Sequence, residues 1–250
     1  MAFCVLHYYS DALKKQTAVN VLLPDPSIPG PYAVMLLLHG LSDDHTCWTR
    51  WSSIERHVEG WPLIVAMPDG GRSFYCDAEE GYAYGTAIGT ELPELLKAYF
   101  PTSGKWCVSG LSMGGYGAIK LALRHPNRFV SGHSMSGALG FAHSRDFAES
   151  AGDAEFRRIV GGKPRGGPHD LHALSASLKA PRPNLLIDCG VEDFLIDDNR
   201  AFHGHLQSLG IEHEYQEYPG AHTWAYWDEH VQEGLAFHAR NLGLAQRQNS

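Results

Sequence analysis

The sequence predicts an α/β fold, a mostly parallel twisted sheet with helices on both faces, and three observations carry that prediction. Strand-sized apolar runs alternate with helix-period segments along most of the 250 residues. Residues 33–38 and 63–67 are apolar throughout, the mark of strands buried on both faces of a parallel sheet. A sharp glycine turn at 110–114 joins an apolar strand directly to a small-residue helix. With 44% apolar residues at this length, one domain with a substantial core is expected over 1–250.

Residues 2–9 and 17–23 read as strands joined by a short polar connection, which suits an antiparallel sheet edge. A proline-rich loop, 24–31, leads to the strand 33–38, which ends on His39-Gly40; a loop at 41–50 and a helix pattern near 51–58 follow. The strand 63–67 runs into Pro68-Asp69-Gly70-Gly71 and an irregular stretch, 73–84. Residues 90–99 read as a helix because Pro93 falls in its first turn. The strand 106–109, the helix 116–124, which closes at His125-Pro126, and the strand 129–135 come next. Between the sixth and seventh strands, 138–183 reads as a cap-like excursion able to wall a substrate pocket. It has short helical pieces near 153–160 and 170–178 around the Gly- and Pro-rich run 161–168. Strand 184–189, helix 197–209, strand 213–218 and helix 224–241 complete the pattern.

A net charge of −8 with dispersed Lys and Arg gives no basic stripe, so nucleic acid is not an expected partner. No apolar run approaches a membrane span, so no membrane association is expected. The first residues lack a signal-peptide pattern, which gives a cytoplasmic expectation. Five widely spaced cysteines without a C-x-x-C pair read as free thiols, and no metal site is expected from them. Of the histidines, His203 and His205 are two apart on a helix and cannot share a face; His169 and His172 lack an evident acidic co-ligand. A homo-oligomer is compatible with the sequence.

The chemistry centres on Gly110-Leu111-Ser112-Met113-Gly114. A serine at the tip of a strand-to-helix turn needs small neighbours so that the two limbs can pass, and the turn aims free helix N–H groups at the reacting atom. Ser112 is therefore the candidate nucleophile. The similar segment 132–137 lacks the second glycine at the right offset and a following helix, and reads as the end of a strand.

A serine nucleophile needs a base and a carboxylate to orient it, and in such sheets these groups meet at the carboxyl ends of strands. His222, between the last strand and the last helix, is the expected base. Asp193, in the loop after strand 184–189, is preferred as the acid over Asp188, which lies within the strand. Asp197 and Asp198 read as caps of the next helix, and Glu192 as pointing elsewhere. The oxyanion donors are expected to be the backbone N–H groups of Leu41, after the close-approach Gly40, and Met113. His39, ending its strand beside the turn, is expected to line the site or hold the loop.

Five motifs stand in order: His-Gly-Leu-Ser-Asp-Asp-His-Thr-Cys-Trp-Thr-Arg at 39–50, Pro-Asp-Gly-Gly-Arg-Ser-Phe-Tyr at 68–75, Gly-Leu-Ser-Met-Gly-Gly-Tyr-Gly-Ala at 110–118, Gly-Val-Glu-Asp-Phe-Leu at 190–195 and Gly-Ala-His-Thr-Trp-Ala-Tyr-Trp at 220–227. Together they resemble the esterase D-like esterases, nearest the tributyrin esterase branch. The resemblance implies an α/β-hydrolase fold and a serine carboxylesterase acting on short acyl esters, with Ser112, Asp193 and His222 as triad and Leu41 and Met113 as oxyanion amides. Trp48, Tyr75 and Trp224 match aromatic motif positions and, with His39 and Gly40, are candidate pocket residues.

The expected partner is a small-molecule acyl ester, and the chemistry requires no cofactor. Neutral histidine is the working base, so activity is expected to climb as pH rises through the range in which histidines titrate. The rival readings are an S-formylglutathione hydrolase-like thioesterase, a feruloyl or acetyl esterase of small carbohydrate esters, and, from another class, a catalytically silent binding module.

Overall fold

The computed structural model describes residues 1–144 and 153–247; residues 145–152 of the expected excursion lie outside the described residues. Among the described residues, eight strands form one sheet: β1 (Ala2–Ser10), β2 (Lys15–Leu23), β3 (Tyr32–Leu38), β4 (Leu63–Pro68), β5 (Thr102–Leu111), β6 (Phe129–Met135), β7 (Asn184–Gly190) and β8 (Glu214–Tyr218). Their spatial order is β1-β2-β4-β3-β5-β6-β7-β8. At one edge β1 pairs with β2 and β2 with β4, both antiparallel, and the pairs from β4 through β8 are parallel.

The two-residue period of β3 divides its side chains between two cores. Val34, Leu36 and Leu38 face one layer, and Ala33, Met35 and Leu37 face the other. The first layer takes helices α4 (Leu92–Tyr99), α5 (Met113–Arg124), α7 (Leu171–Ala176) and α8 (Ile196–Ser208) through Leu96, Ile119, Leu171 and Phe202. The second takes α1 (Cys47–Trp51), α2 (Ile54–His57) and α9 (Trp224–Leu242) through Trp48, Ile54 and Val231. The remaining helices among the described residues are α3 (Tyr84–Thr86), followed by a π-helical turn (Ala87–Glu91) that runs into α4, and α6 (Ala154–Val160). No helix among the described residues is long and apolar enough to cross a membrane.

Two local expectations change. The helix expected near 51–58 is two short helices, because the Ser53 N–H turns away to the Asp228 carboxylate at 2.6 Å, a partner 175 residues distant. Asp197 and Asp198 do not cap α8: the N-cap is Leu195, and both aspartates sit inside the first turn. There their charge still meets the positive end of the helix dipole.

Several histidines are buried as neutral groups. Burial holds His39 and His238 below the ordinary histidine value, His169 at about 3 and His172 at about 4; nearby cations and histidines add to the last two. Because these folded-state values are depressed, the unfolded chain binds protons first, near pH 6.5 for an ordinary histidine. Their contribution to stability is full above about pH 6.5 and is lost as pH falls toward the folded values. Thermal melts are expected to show a melting temperature that declines steadily from about pH 6.5 to about pH 4. A flat profile across that window would contradict the assignment.

Candidate active site

β5 ends at Leu111 and α5 begins at Met113, so one residue makes the whole turn. That residue is Ser112, with φ 54° and ψ −116°, a conformation an L-residue adopts only when its surroundings impose it. The surroundings are tight. A side chain at Gly110 would overlap the Gly114 carbonyl, and a Cβ at Gly114 would lie 2.5 Å from the Leu38 carbonyl oxygen and 2.7 Å from that of His39. Glycine at both positions is thus the condition for the turn.

Ser112, His222 and Asp193 form one hydrogen-bonded chain. The Ser112 Oγ lies 3.0 Å from His222 Nε2, and His222 Nδ1 lies 2.8 Å from Asp193 Oδ2. The other oxygen of Asp193 accepts the Leu195 N–H at 2.8 Å. Burial alone would raise the Asp193 carboxyl; the hydrogen bonds from His222 and the Leu195 amide outweigh it, and the net shift is downward. The carboxylate therefore stays ionised opposite the imidazole. Phe194 and Trp227 flank that ring at centroid distances of 4.5 and 4.9 Å and restrict its rotation.

Asp188 serves a different network. It meets His133 Nε2 at 2.6 Å and accepts the Tyr226 hydroxyl at 2.9 Å. His133 Nδ1 is 3.4 Å from the Ser109 Oγ, which also meets His238 Nε2 at 2.8 Å. This second Ser-His-Asp chain is wholly buried between the sheet and α9, where a Cβ on Gly234 would overlap His133.

The Ser112 side chain opens on a cavity of about 160 Å³, lined among the described residues by Leu41, Phe74, Met113, Ala138, Phe141, Phe156, Phe194, Leu195 and Asp198. Phe74 and Phe141 stack at 3.5 Å, and Phe156 stands edge-on to both. As the first residue of α5, Met113 has an N–H with no intrahelical acceptor, and Leu41 lines the same cavity. Arg72 grips Glu155 of α6 through two hydrogen bonds, at 2.6 and 2.9 Å, and extends a third, at 3.5 Å, to the Leu41 carbonyl.

None of His39, Gly40, Trp48, Tyr75 or Trp224 is among the residues lining this cavity. They build the frame behind it. His39 is buried, accepts the Gly70 N–H at Nε2 (2.8 Å) and so donates from Nδ1 to the Gly40 carbonyl (2.7 Å), which joins two strand-end loops. Gly40 lets its loop pass Leu111, where a Cβ would sit 2.8 Å from Cδ1. The Tyr75 hydroxyl donates to the His39 carbonyl at 3.0 Å, and the Trp48 indole donates to the Leu38 carbonyl at 3.1 Å. Trp224 packs edge-on against Trp48, at 5.2 Å, beside a separate surface groove with Asp43, Asp44 and Arg50. Phe74, Phe141, Phe156 and Phe194 were not singled out in the sequence; they come from four separate segments with no common spacing. An acidic neighbour exists for His172: His143, Asp170 and His172 bring potential ligand atoms within 4.8 Å of one another. Asp170 already caps α7 through the His172 N–H and accepts the Gly166 N–H. His169 stands outside this group.

The family model described as "Putative esterase" matches residues 10–238. The chain belongs to this Esterase family. An acetyl esterase of Caldicellulosiruptor saccharolyticus is 30% identical over 92% of this chain and 96% of its own length. Among solved structures, the fluorophosphonate-binding serine hydrolase FphF of Staphylococcus aureus, with substrate bound, superimposes with a TM-score of 0.84 at 29% identity, covering 95% of this chain and 98% of that one. The S-formylglutathione hydrolase FrmB of the same organism gives 0.81 at 30% identity, with the same coverage. This Esterase-family chain is a carboxylic ester hydrolase with an α/β-hydrolase fold, as its motifs imply.

Proposed function

We propose that the protein is a serine carboxylesterase that hydrolyses short-chain acyl esters of small alcohols, with Ser112 as nucleophile, His222 as base and acid, and Asp193 as orienting carboxylate. His222 takes the Ser112 proton as Oγ attacks the ester carbonyl. The new oxyanion is met by the N–H groups of Met113 and Leu41, with the dipole of α5 behind Met113. Asp193 fixes the imidazole so that Nε2 faces the serine, and it balances the charge the ring acquires. His222 then returns the proton to the leaving alcohol, and water repeats the sequence on the acyl-enzyme.

The observation that carries the reading on chain length is the aromatic cavity beside Ser112. At about 160 Å³ it is small against the roughly 300–1,000 Å³ of a site for a drug-sized ligand. Its stacked phenylalanines form an apolar floor, with Asp198 the one charged residue among the described lining, which suits a short acyl chain. On a p-nitrophenyl ester series, kcat/KM is expected to peak at acetate to butyrate and fall for octanoate. Phe141→Ala, which removes the stacked ring, is expected to move the optimum toward longer chains. A wild-type maximum at octanoate or beyond would overturn the chain-length reading.

A thioester leaving group is the second reading, supported by the likeness to the S. aureus S-formylglutathione hydrolase. The ratio of kcat/KM on an acetyl ester to that on S-formylglutathione decides between them. None of the five cysteines is in a disulfide, which supports the cytoplasmic part of the proposal, because disulfides are rare in a reducing compartment. We further propose that 1–250 works as one catalytic unit in which 138–183 walls the acyl pocket.

A further inference from the structure

Lys120 lies on α5, eight residues beyond the Ser112 turn, with its side chain directed inward and 2% of its surface exposed. Its Nζ lies 3.2 Å from the Tyr75 carbonyl oxygen and 2.7 Å from the Sγ of Cys76, which is itself fully buried. The second distance is anomalous for a hydrogen bond. Contacts of N–H with oxygen span about 2.7–3.2 Å, and the larger radius of sulfur places N–H···S contacts beyond that range. The separation is also too long for a direct S–N bond. It matches two atoms joined through one bridging atom.

We infer that Lys120 and Cys76 are the two ends of a reversible covalent N–O–S cross-link, with a single oxygen atom inserted between Nζ and Sγ. Dioxygen is the oxidant. The S–H bond and one N–H bond break, S–O and O–N bonds form, and the two hydrogens leave with the second oxygen atom as water. Sulfur and nitrogen are oxidised and dioxygen is reduced; thiol, amine and O₂ become the bridge and one water. Two equivalents of a dithiol reverse the step to thiol, amine and water.

The surroundings suit this chemistry. Burial pushes the Lys120 ammonium below its ordinary value and favours the neutral amine that must react. Lys120 also lines a cavity of about 310 Å³ with Asp77, Thr86, Arg124, His125 and His169, large enough to admit dioxygen. The bridge would fasten α5 to the segment at 73–76, where Phe74 walls the acyl cavity and Tyr75 supports His39. The cross-link is thus a redox-dependent brace for the pocket.

The test is peptide mapping of the full-length protein after exposure to air-saturated buffer, with free thiols alkylated under denaturing conditions before trypsin. The expected product joins peptides 73–97 and 106–124, is uncleaved after Lys120, and weighs about 14 Da more than the sum of the two peptides with Cys107 alkylated and Cys76 unalkylated, one oxygen gained and two hydrogens lost. Dithiothreitol should dissolve it, and Cys76→Ser and Lys120→Arg should each abolish it. Because Cys107 lies in the same stretch, a Cys76–Cys107 disulfide would leave Lys120 cleavable and join 73–97 to 106–120, at about 2 Da less than the sum of those two reduced peptides. That result, a sulfenamide with the same mass deficit and Lys120 blocked, or a fully alkylated Cys76 would each overturn the proposal. The wild-type masses decide the matter even if a variant fails to fold.

Discussion

Ser112→Ala is expected to leave the melting temperature unchanged while kcat on p-nitrophenyl acetate falls on the order of 10⁴-fold or more. The substitution removes one oxygen and one hydrogen bond, to His222, at a partly exposed site, and alanine suffers the same backbone strain that serine does at φ 54°. Folding energy therefore changes little. The chemical step loses its nucleophile, and the residual rate is what the oxyanion amides and binding can supply. A fluorophosphonate should add once to the wild type, at Ser112, and not to the variant. Ser109 provides an internal comparison, because its Oγ also touches histidine but is sealed beneath α9. Full activity in the variant, or labelling at Ser109, would refute the assignment.

The two aspartates of the seventh-strand region should separate cleanly. Asp193→Asn is expected to keep the fold and reduce kcat by on the order of 10⁴-fold, because an amide can hold His222 in the wrong tautomer and cannot balance imidazolium charge. Asp188→Asn should do the reverse. Its carboxylate joins His133 and Tyr226 deep in the core, so its loss is expected to lower stability by about 1–3 kcal/mol in urea titrations while the folded fraction retains its kcat. If Asp188→Asn silenced the folded enzyme and Asp193→Asn did not, the roles would be exchanged.

The sequence made these distinctions legible where chemistry is tied to strand ends. Ser112 shows itself through glycines that only a tight turn requires, and His222 and Asp193 through their place just after strands. The acyl cavity is different. Phe74, Phe141, Phe156 and Phe194 approach Ser112 from four irregular or short segments, and nothing in their spacing marks a common destination. Trp48, Tyr75 and Trp224 drew notice by type and motif, yet their polar atoms and faces are used to brace the loops that carry Gly40 and Leu41. The break between α1 and α2 was equally illegible, since it depends on Asp228 in the last helix.

The Arg72–Glu155 pair has a consequence for solution conditions. The far end of α6 is pinned by backbone bonds, from the Glu80 amide to Arg158 and from the Glu79 amide to Ile159. The near end, next to Phe156, is held by a partly exposed ion pair. Mobile ions screen such a pair, over about 10 Å at 0.1 M salt and about 3 Å at 1 M, but leave the backbone bonds untouched. Ionic strength therefore weakens one anchor of α6 and spares its backbone anchors, so that salt tunes how closely the helix is held on the acyl pocket: KM for bulkier acyl esters should fall as salt rises while that for acetate stays constant.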